Sequence, residues 1–499
     1  MTPAAPVAAR LTPLRVREAA AFRMPVRTRM PFRYGIATVT DLPHLFVRVR
    51  LALGDGTELG DGTEAVGMSA DHLAPKWFTK DPATAFEDDA AEMLRVISRA
   101  METAADLGDC ESVFDLWSRL YAAQAQWARA NGIAPLLAHF GTSLVERAVI
   151  DAVCRAAGRP FADLLRENDF GIRLGDVHPE LGDAHPADLL PALGTPLPRI
   201  LARHTVGLSD PLVEADRTEE HQVSDGLPVT LEECVRVYGL RHFKLKVGAD
   251  AARYVPRLER TIAVIRQNRP HGDDFAFSLD GNEAFTNVAD FRAFWDAFTA
   301  SPALRRDALP RLLFVEQPLH RSVALSPVTG AAFADWPERP PIIIDESDAE
   351  TTSLPTALSL GYAGTSHKNC KGVIKGIANA CLIAHCRRCA DPATPLILSG
   401  EDLTNIGPVA QMQDLAVQAA LGIESVERNG HHYFSGLSMF PQAVQDATLR
   451  THPDLYHSGL AGFATLTVAD GALDLGTVNA APGLGVGFLP DVEAFAERV

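Results

Sequence analysis

Lys244 and Lys246 are separated by one leucine in a short run, residues 242–248, that alternates charged and apolar side chains and ends in glycine. This pattern predicts a β-strand on which both lysines project from one face. Two neighbouring ammonium groups repel and are costly to bury, so they need either water or strong negative charge beside them. An edge strand with solvated lysines would meet the first requirement. Carboxylates supplied by other parts of the chain would meet the second.

Three carboxylates, Asp280, Glu316 and Asp345, each stand at the end of a later apolar run, and Lys368 ends the run that follows them. Carboxylates that converge without partners repel one another and take up protons. A hard divalent cation relieves this repulsion, and Mg²⁺ binds oxygen ligands while keeping positions open for a substrate. Each acid alone is better explained as a residue that caps the following helix or holds a loop. Three in register, flanked by lysines, favour a magnesium site.

The elements that must position these residues alternate regularly along the chain. Helical segments separate eight short apolar runs, which predicts a parallel sheet buried on both faces. Eight strands at a spacing of about thirty residues fit an α/β fold of the (β/α)8 barrel type, whose catalytic side chains sit at the carboxyl ends of the strands. The predicted strands are residues 203–208, 242–247, 275–280, 312–316, 342–345, 363–368, 396–399 and 423–426.

The regions on either side of the predicted barrel have a different pattern. Residues 1–160 predict an α+β domain, with strands up to about residue 70 and helices after it. We expect the barrel to occupy residues 200–460, and residues 461–499 to return to the N-terminal sheet. Residues 165–200 are rich in Pro, Gly, His and Asp and predict an irregular connection or an insertion.

Two segments of the N-terminal domain carry charged side chains that we expect to be exposed. Residues 76–80 (Lys-Trp-Phe-Thr-Lys) predict a loop with exposed aromatic side chains and two cations. Residues 144–155 predict a helix that carries Glu146 and Arg147 on its polar side.

Composition narrows the functional class. The chain of 499 residues has a formal net charge of −17, which argues against a general nucleic-acid or anionic-membrane binder. No apolar run is long enough for a membrane span, and residues 1–29 do not resemble a secretory signal. An odd number of cysteines, 7, predicts free thiols and a cytoplasmic protein. Cys381, Cys386 and Cys389 could form a metal site, but an amphipathic helix with unbound thiols explains them better.

With these motifs in place, the sequence resembles the enolase superfamily, in its mandelate racemase and muconate lactonizing enzyme branch. The Lys-x-Lys motif of that family matches Lys244 and Lys246, and its three metal ligands match Asp280, Glu316 and Asp345. The resemblance implies a modified (β/α)7β barrel and an N-terminal capping domain that the C-terminal segment completes.

The resemblance also implies a chemistry: abstraction of a proton α to a carboxylate, with Mg²⁺ stabilising the enolate that forms. Lys246 and Lys368 would be the two acid/base groups, on opposite faces of the substrate, and Lys244 would contact the substrate carboxylate. A neighbouring cation lowers the pKa of a lysine, so Lys244 and the metal would let Lys246 act as a base. A small-molecule carboxylate is the expected partner, together with further copies of the chain in a homo-oligomer.

Further substrate contacts are expected around the mouth of the barrel. Asn282 follows a metal ligand, and Glu401 and Asp402 follow the seventh strand, where helix capping is the alternative role. The resemblance places Arg33 and Tyr34 on a capping-domain loop that closes over the substrate.

Residues 431–433 (His-His-Tyr) follow the eighth strand, and their side chains fit either a substrate contact or an ordinary surface loop.

Individual residues bear on the subtype within this branch and on the reaction. Lys368 on the sixth strand favours the lysine–lysine, muconate-lactonizing type over the histidine–aspartate type of mandelate racemase. The eighth strand, at Glu427, lacks the Asp-x-Asp that dipeptide epimerases use to hold an ammonium group. A racemase, epimerase or cycloisomerase is the first hypothesis. A dehydratase, acting on an acid sugar or forming o-succinylbenzoate, shares its first step. A barrel without activity, serving as a binding or scaffold protein, is the hypothesis from another class.

Overall fold

The computed structural model describes residues 13–34, 37–54, 63–269 and 274–499, and its N-terminal part is built on a twisted antiparallel sheet. In β4 (His44–Leu53), alternate residues from Leu45 to Leu53 are all buried, whereas Arg48 and Arg50 on the other face reach solvent. This strand pairs antiparallel with β1 and β5, while β2 and β3 form a separate hairpin. The strands are β1 (Leu14–Met24), β2 (Arg27–Tyr34), β3 (Ala37–Asp41), β4 (His44–Leu53) and β5 (Thr63–His72).

Four helices follow and cover this sheet. The longest lies directly on β5, where Gly67 makes the close approach possible: a Cβ there would stand 2.2 Å from the carbonyl oxygen of Ala148. Pro135 begins this helix, and Gly158 ends it in the left-handed conformation that suits glycine. The helices are α1 (Pro75–Phe78), α2 (Phe86–Asp106), α3 (Val113–Ala130) and α4 (Pro135–Ala157).

The connection predicted to be irregular consists of short helical turns with few residues between them. Its leucines are buried, so the segment packs as part of the core. The helices are α5 (Phe161–Glu167), α6 (Leu174–Val177) and α7 (Pro186–Leu189), with 3₁₀ turns at Pro179–Leu181 and Pro191–Gly194.

Eight parallel strands form a closed barrel, which confirms the predicted fold. The last of them pairs with the first, Ser425 opposite Leu201 and Arg428 opposite His204, so that the barrel has no open seam. The strands are β6 (Arg199–Val206), β7 (His242–Lys246), β8 (Ala276–Asp280), β9 (Leu312–Glu316), β10 (Ile342–Ile344), β11 (Gly364–His367), β12 (Ile397–Gly400) and β13 (Ser425–Arg428).

Helices cover the outside of the barrel. Several begin with a side-chain cap, as at α8, where Thr230 accepts a hydrogen bond from the backbone N–H of Glu233. The helices are α8 (Leu231–Tyr238), α9 (Ala251–Asn268), α10 (Val288–Ala300), α11 (Pro302–Asp307), α12 (Arg321–Ala324), α13 (Pro327–Ala334), α14 (Ser353–Ser359), α15 (Val373–Cys389), α16 (Ala410–Leu421), α17 (Gly430–Tyr433) and α18 (Gln442–Thr451).

The C-terminal segment connects the two parts of the molecule. Its final strand pairs with β1 of the N-terminal sheet, and another of its strands adds antiparallel to β6 of the barrel. Its elements are β14 (Tyr456–Ser458), β15 (Ala464–Leu466), β16 (Ala472–Asp474), α19 (Gly476–Ala480) and β17 (Glu497–Arg498). Among the described residues, no helix combines the length and apolar character needed to cross a membrane.

Two predictions for the N-terminal domain are wrong. Trp77 and Phe78 are buried, at 5% and 0% exposure, because Phe78 packs against Phe140 of α4 and Trp77 contacts Lys368 of the barrel. Glu146 and Arg147 are also fully buried, because α4 is the central helix of the domain and has neighbours on every side.

Candidate active and metal-binding site

Five buried carboxylates form a group at the carboxyl ends of the barrel strands, which we call the acidic ring: Asp280, Glu316, Asp345, Glu401 and Glu427. Lys244 lies at its centre. Its Nζ is 2.7–2.9 Å from oxygens of four carboxylates, those of Asp280, Glu316, Glu401 and Glu427. Burial opposes the charged form of this amine, yet the four carboxylates hold its pKa well above the ordinary value. The solvated edge-strand alternative is therefore excluded, because β7 is an interior strand and Lys244 is 0% exposed.

Strand register explains how the first acids come together. Lys246 is paired with Asp280 across β7 and β8, and Asp280 with Glu316 across β8 and β9, so three adjacent strands end side by side. Glu316 stands opposite Ile343, which places Asp345 just beyond the end of β10.

Glu316, Asp345 and Glu401 converge: one carboxylate oxygen from each lies within 4.8 Å of the other two. All three residues are buried, and Oε2 of Glu316 accepts no hydrogen bond from the described residues. Burial and the nearby Glu401 carboxylate raise the pKa of Glu316 well above its ordinary value. Asp280 is not part of this group of three, because its Oδ2 faces Lys244 at 2.9 Å and Lys246 at 2.5 Å.

Lys368 lies on the opposite side of the ring from Lys246. Its Nζ donates to Oδ2 of Asp345 at 2.8 Å and lies 3.0 Å from Oε2 of Glu401. Burial opposes its charge, but these carboxylates hold its pKa well above the ordinary lysine value. Lys371, which donates to Oδ1 of Asp345 at 3.1 Å, is a further amine at this carboxylate.

A cavity between the barrel mouth and the N-terminal domain reaches both amines. Asn282, one of the predicted contact residues, lies on its wall in the left-handed conformation, with φ 42°. Its backbone N–H donates to Oδ1 of Asp280 at 2.8 Å, which orients that carboxylate. The wall includes Phe32, Trp77, Lys246, Asn282, Lys368, Asp402, Glu427 and Asn429.

Glu401 and Asp402 take different places after β12. Glu401 lies inside the ring, where Lys244, Lys368 and Arg203 surround it. Asp402 lies on the cavity wall and is paired with Arg428. Burial raises the pKa of Asp402 to about 6, although Arg428 opposes that rise.

Arg33, one of the two predicted capping-loop contacts, does not line the cavity. Arg33 is paired with Glu220, its Nη2 2.7 Å from Oε2 of that residue, and Phe32 beside it lies on the cavity wall. The side chain of Tyr34 lies outside the described residues.

The surface-loop alternative for residues 431–433 is wrong. His431, His432 and Tyr433 form the short helix α17 and are 7%, 2% and 0% exposed.

Two contributors to the site were not identified from the sequence. Trp77 covers the cavity, and the Nζ of Lys368 lies 4.5 Å from the centroid of its ring, a cation–π contact. Gln317 positions Asp345, because the side-chain Oε1 of Gln317 accepts a hydrogen bond from the backbone N–H of Asp345 at 2.7 Å. The position of Gln317 in a Glu-Gln-Pro segment was visible in the sequence, whereas Trp77 was expected on an exposed loop and nothing local indicated its contact with Lys368.

Most of the lysines lie in this region. The chain has seven lysines among its 46 basic residues. Five are buried at the barrel mouth or directly behind it, and these are Lys244, Lys246, Lys368, Lys371 and Lys375. Lys80 reaches the same face from the N-terminal domain, with its Nζ 2.8 Å from Oε2 of Glu283, while Lys76 pairs with Asp89.

Comparisons with known proteins show the fold. No family model matches the sequence, and no curated protein matches it. Among solved structures, a mandelate racemase/muconate lactonizing protein from Herpetosiphon aurantiacus superposes with a TM-score of 0.55 at 17% identity, covering 94% of this chain and 98% of that one.

Two further structures give the same result. An N-succinyl Arg/Lys racemase from Bacillus cereus matches with a TM-score of 0.57 at 14% identity, over 97% of this chain and 100% of the other. An enolase from Bradyrhizobium, complexed with magnesium and mandelic acid, matches at 0.55 and 15% identity, over 97% and 99%. The fold of the barrel and of its N-terminal domain is thus shared, along nearly the whole chain, with these three structures.

Proposed function

We propose that the protein is a Mg²⁺-dependent enzyme that removes a proton α to the carboxylate of a small organic acid, as the first step of a racemisation, epimerisation or cycloisomerisation. Lys246 and Lys368 are the two acid/base groups. The fold neighbours that are described as racemases and muconate lactonizing proteins support the reaction class.

One observation carries this proposal: Lys246 and Lys368 line the same cavity from opposite sides of the acidic ring. In the strand order of the barrel, β7 and β11 enclose β8, β9 and β10, which carry the three acids. A substrate held over the acids therefore meets one amine on each face. A purely structural barrel gains nothing from burying two lysines and three acids at these strand ends, because burying such charges is costly.

The donors at this site fit a magnesium ion. Glu316 and Asp345 supply converging carboxylate oxygens, and carboxylate oxygens are the ligands that a hard cation such as Mg²⁺ prefers. The third ligand is either Glu401, which converges with them here, or Asp280, which the family motif indicates. A bound divalent cation would stabilise the negative charge that develops on the substrate carboxylate when the α-proton leaves.

The chain's own residues perform the proton transfers. One lysine accepts the α-proton at its Nζ, and the other returns a proton from the opposite face, which inverts the carbon centre. Asp345 and Glu401 lie beside Nζ of Lys368, at 2.8 Å and 3.0 Å, and orient it for proton transfer. Trp77 and the apolar part of the cavity wall exclude water from the reacting carbon.

The same two amines would serve a dehydratase, in which the second lysine protonates a leaving hydroxyl group. The distinction lies in the substrate, so product analysis decides between the two.

The test is hydrogen exchange at the α-carbon. The full chain is incubated with Mg²⁺ in deuterated water and a library of α-substituted carboxylic acids, and exchange is followed by NMR and mass spectrometry. We expect Mg²⁺-dependent exchange for at least one acid, abolished or one-sided in Lys246→Ala and Lys368→Ala. Optical rotation and dehydration products are recorded in the same screen.

Lys76→Gln is the matched control, because Lys76 lies outside the cavity wall and pairs with Asp89. Its exchange rate should equal that of the unmodified chain. Absence of exchange with every acid, in protein shown to bind Mg²⁺, would favour the scaffold hypothesis.

A further inference from the structure

A second cluster of metal-binding side chains lies behind the barrel wall, outside the acidic ring. One ligand atom each from His204, Cys234 and His432 lies within 4.8 Å of the other two, and all three side chains are buried. His204 belongs to β6, Cys234 to α8 and His432 to α17. The cluster therefore joins the first strand, the first helix after it and the segment that follows the last strand.

Strand alternation explains why this cluster is separate from the active site. Arg203 and Thr205, on either side of His204 in β6, donate to Glu401 and Glu427 inside the barrel. Successive side chains of a strand point to opposite faces, so His204 faces outward, towards α8.

The distances agree with a tetrahedral ion. Sγ of Cys234 lies 3.6 Å from Nδ1 of His432. Bonds of about 2.3 Å to sulfur and about 2.0 Å to nitrogen place two such ligand atoms about 3.5 Å apart around zinc. The sulfur of Cys234 and a nitrogen of His432 thus already have the spacing of two zinc ligands, and a ring nitrogen of His204 lies within 4.8 Å of both.

His431 supplies the supporting contact that metal-binding histidines usually have. Its Nε2 lies 3.1 Å from Nδ1 of His204. This contact engages Nδ1 of His204 and leaves its Nε2 available for a metal ion, and outer partners of this kind fix the ring orientation of a ligand.

We propose that His204, Cys234 and His432 bind a transition-metal ion, with zinc as the best match, at the junction where the barrel closes. Nitrogen and thiolate ligands select such an ion over Mg²⁺, so this site is independent of the acidic ring. The bound ion would tie β6 to α17 across the closure between β13 and β6. The backbone carbonyl of His432 also accepts a hydrogen bond from Arg29 of β2 at 3.0 Å, so the tie extends to the N-terminal domain.

The test uses the full chain and two metals. Elemental analysis after dialysis against metal-free buffer should find about one zinc per chain. Metal-depleted protein titrated with Co²⁺ should develop a thiolate-to-cobalt charge-transfer band in the near ultraviolet, saturating at one equivalent. Excess Mg²⁺ should leave that band unchanged, because magnesium prefers oxygen ligands.

Cys234→Ser should lose the near-ultraviolet band and most of the zinc. Cys154→Ser is the matched control, since Cys154 is also a buried free cysteine and its charged neighbours include Asp151 and Arg155. Its zinc content and cobalt spectrum should match those of the unmodified chain.

The unmodified chain alone can overturn the proposal. If it retains no zinc and gives no thiolate band with Co²⁺, the cluster is a hydrogen-bonded group of core side chains, whether or not Cys234→Ser folds. A full band that persists in a folded Cys234→Ser variant would also contradict it.

Discussion

Nζ of Lys244 lies 2.8 Å from Oε1 of Glu316, so that a buried ammonium group occupies the position around which the acidic ring converges. The ring is thereby neutralised in part by the protein itself. Removing one partner of a buried ion pair leaves uncompensated charge, at a cost of about 3–5 kcal/mol. The charge balance of the ring should therefore depend on Lys244.

Lys244→Met should lower the melting temperature measured in the presence of a chelator. Adding Mg²⁺ should then raise the melting temperature of the variant by more than it raises that of the unmodified chain, because the unpaired carboxylates gain a counter-ion. Calorimetry with and without Mg²⁺ measures this difference. Lys375→Met is the control, since Lys375 is buried and paired with Asp348, outside the ring. Equal Mg²⁺ shifts in all three proteins would show that Lys244 does not balance the ring.

Substitutions of the acids should identify the third metal ligand. Glu316→Gln and Asp345→Asn should each weaken Mg²⁺ binding by more than about tenfold, measured by isothermal titration. Asp280→Asn and Glu401→Gln are then compared. The one that weakens Mg²⁺ binding as strongly as Glu316→Gln and Asp345→Asn identifies the third ligand. Glu424→Gln is the control, because Glu424 is exposed at the opposite end of β13. Full affinity in Glu316→Gln would exclude this ring as the magnesium site.

Arg321 should hold the N-terminal domain over the cavity. Its guanidinium group donates to the carbonyl oxygens of Phe78 at 2.6 Å and Trp77 at 2.9 Å, and it is paired with Glu283. Arg321→Met should increase hydrogen exchange in residues 75–80 by about tenfold or more, because hydrogen bonds to a charged group contribute about 1.5–3 kcal/mol.

Mass spectrometry of deuterated peptides measures this change. Arg339→Met is the control, since Arg339 donates to carbonyl oxygens of Phe333 and Gly361 on the outside of the barrel. Unchanged exchange in residues 75–80 would show that other contacts hold α1 in place.

Glu146 should make the stability of the protein depend on pH. Burial raises its pKa from 4.5 to about 8, although the backbone N–H of Val373 opposes the rise, and its Oε2 has no partner among the described residues. The folded chain then binds a proton that the unfolded chain has lost, so this residue makes stability fall as pH rises from about 4.5 to about 8.

Glu146→Gln should remove this dependence. As pH rises from 5 to 8, the free energy of unfolding of the variant should increase relative to that of the unmodified chain, by at most about 1.4 kcal/mol per pH unit. Thermal unfolding at several pH values measures the difference. Glu102→Gln, at an exposed position of α2, is the control. A constant difference between variant and unmodified chain across this pH range would contradict the assignment.

Strand positions and the order of the acids could be predicted from the sequence because both are local. Each barrel strand is a short apolar run, and each acid follows its own run, as Glu316 follows β9. Parallel topology then places the strand ends in one ring. No contact between distant segments had to be known to obtain the fold and most of the ring.

The features that could not be predicted depend on partners that are distant in sequence. Trp77 meets Lys368, Glu146 meets Val373, and Cys234 meets His432, each across more than one element. A helical pattern shows which side of α4 is polar but not that every side of it is covered. The exposure predicted for Trp77 failed for the same reason.

The restriction of lysine to the barrel mouth and the adjoining loop has a practical consequence. The outer surface of the described structure carries its positive charge as guanidinium, and even Lys76 and Lys80 have side chains only 17% and 12% exposed. The five lysines of the barrel are less exposed still, at most 8%, and all are ion-paired. Amine-directed reagents, such as succinimidyl esters or reductive methylation, would therefore find few reactive amines among the described side chains. Attachment of dyes or solid supports through these amines would be inefficient, and engineered cysteine or guanidine chemistry is the more practical route for labelling.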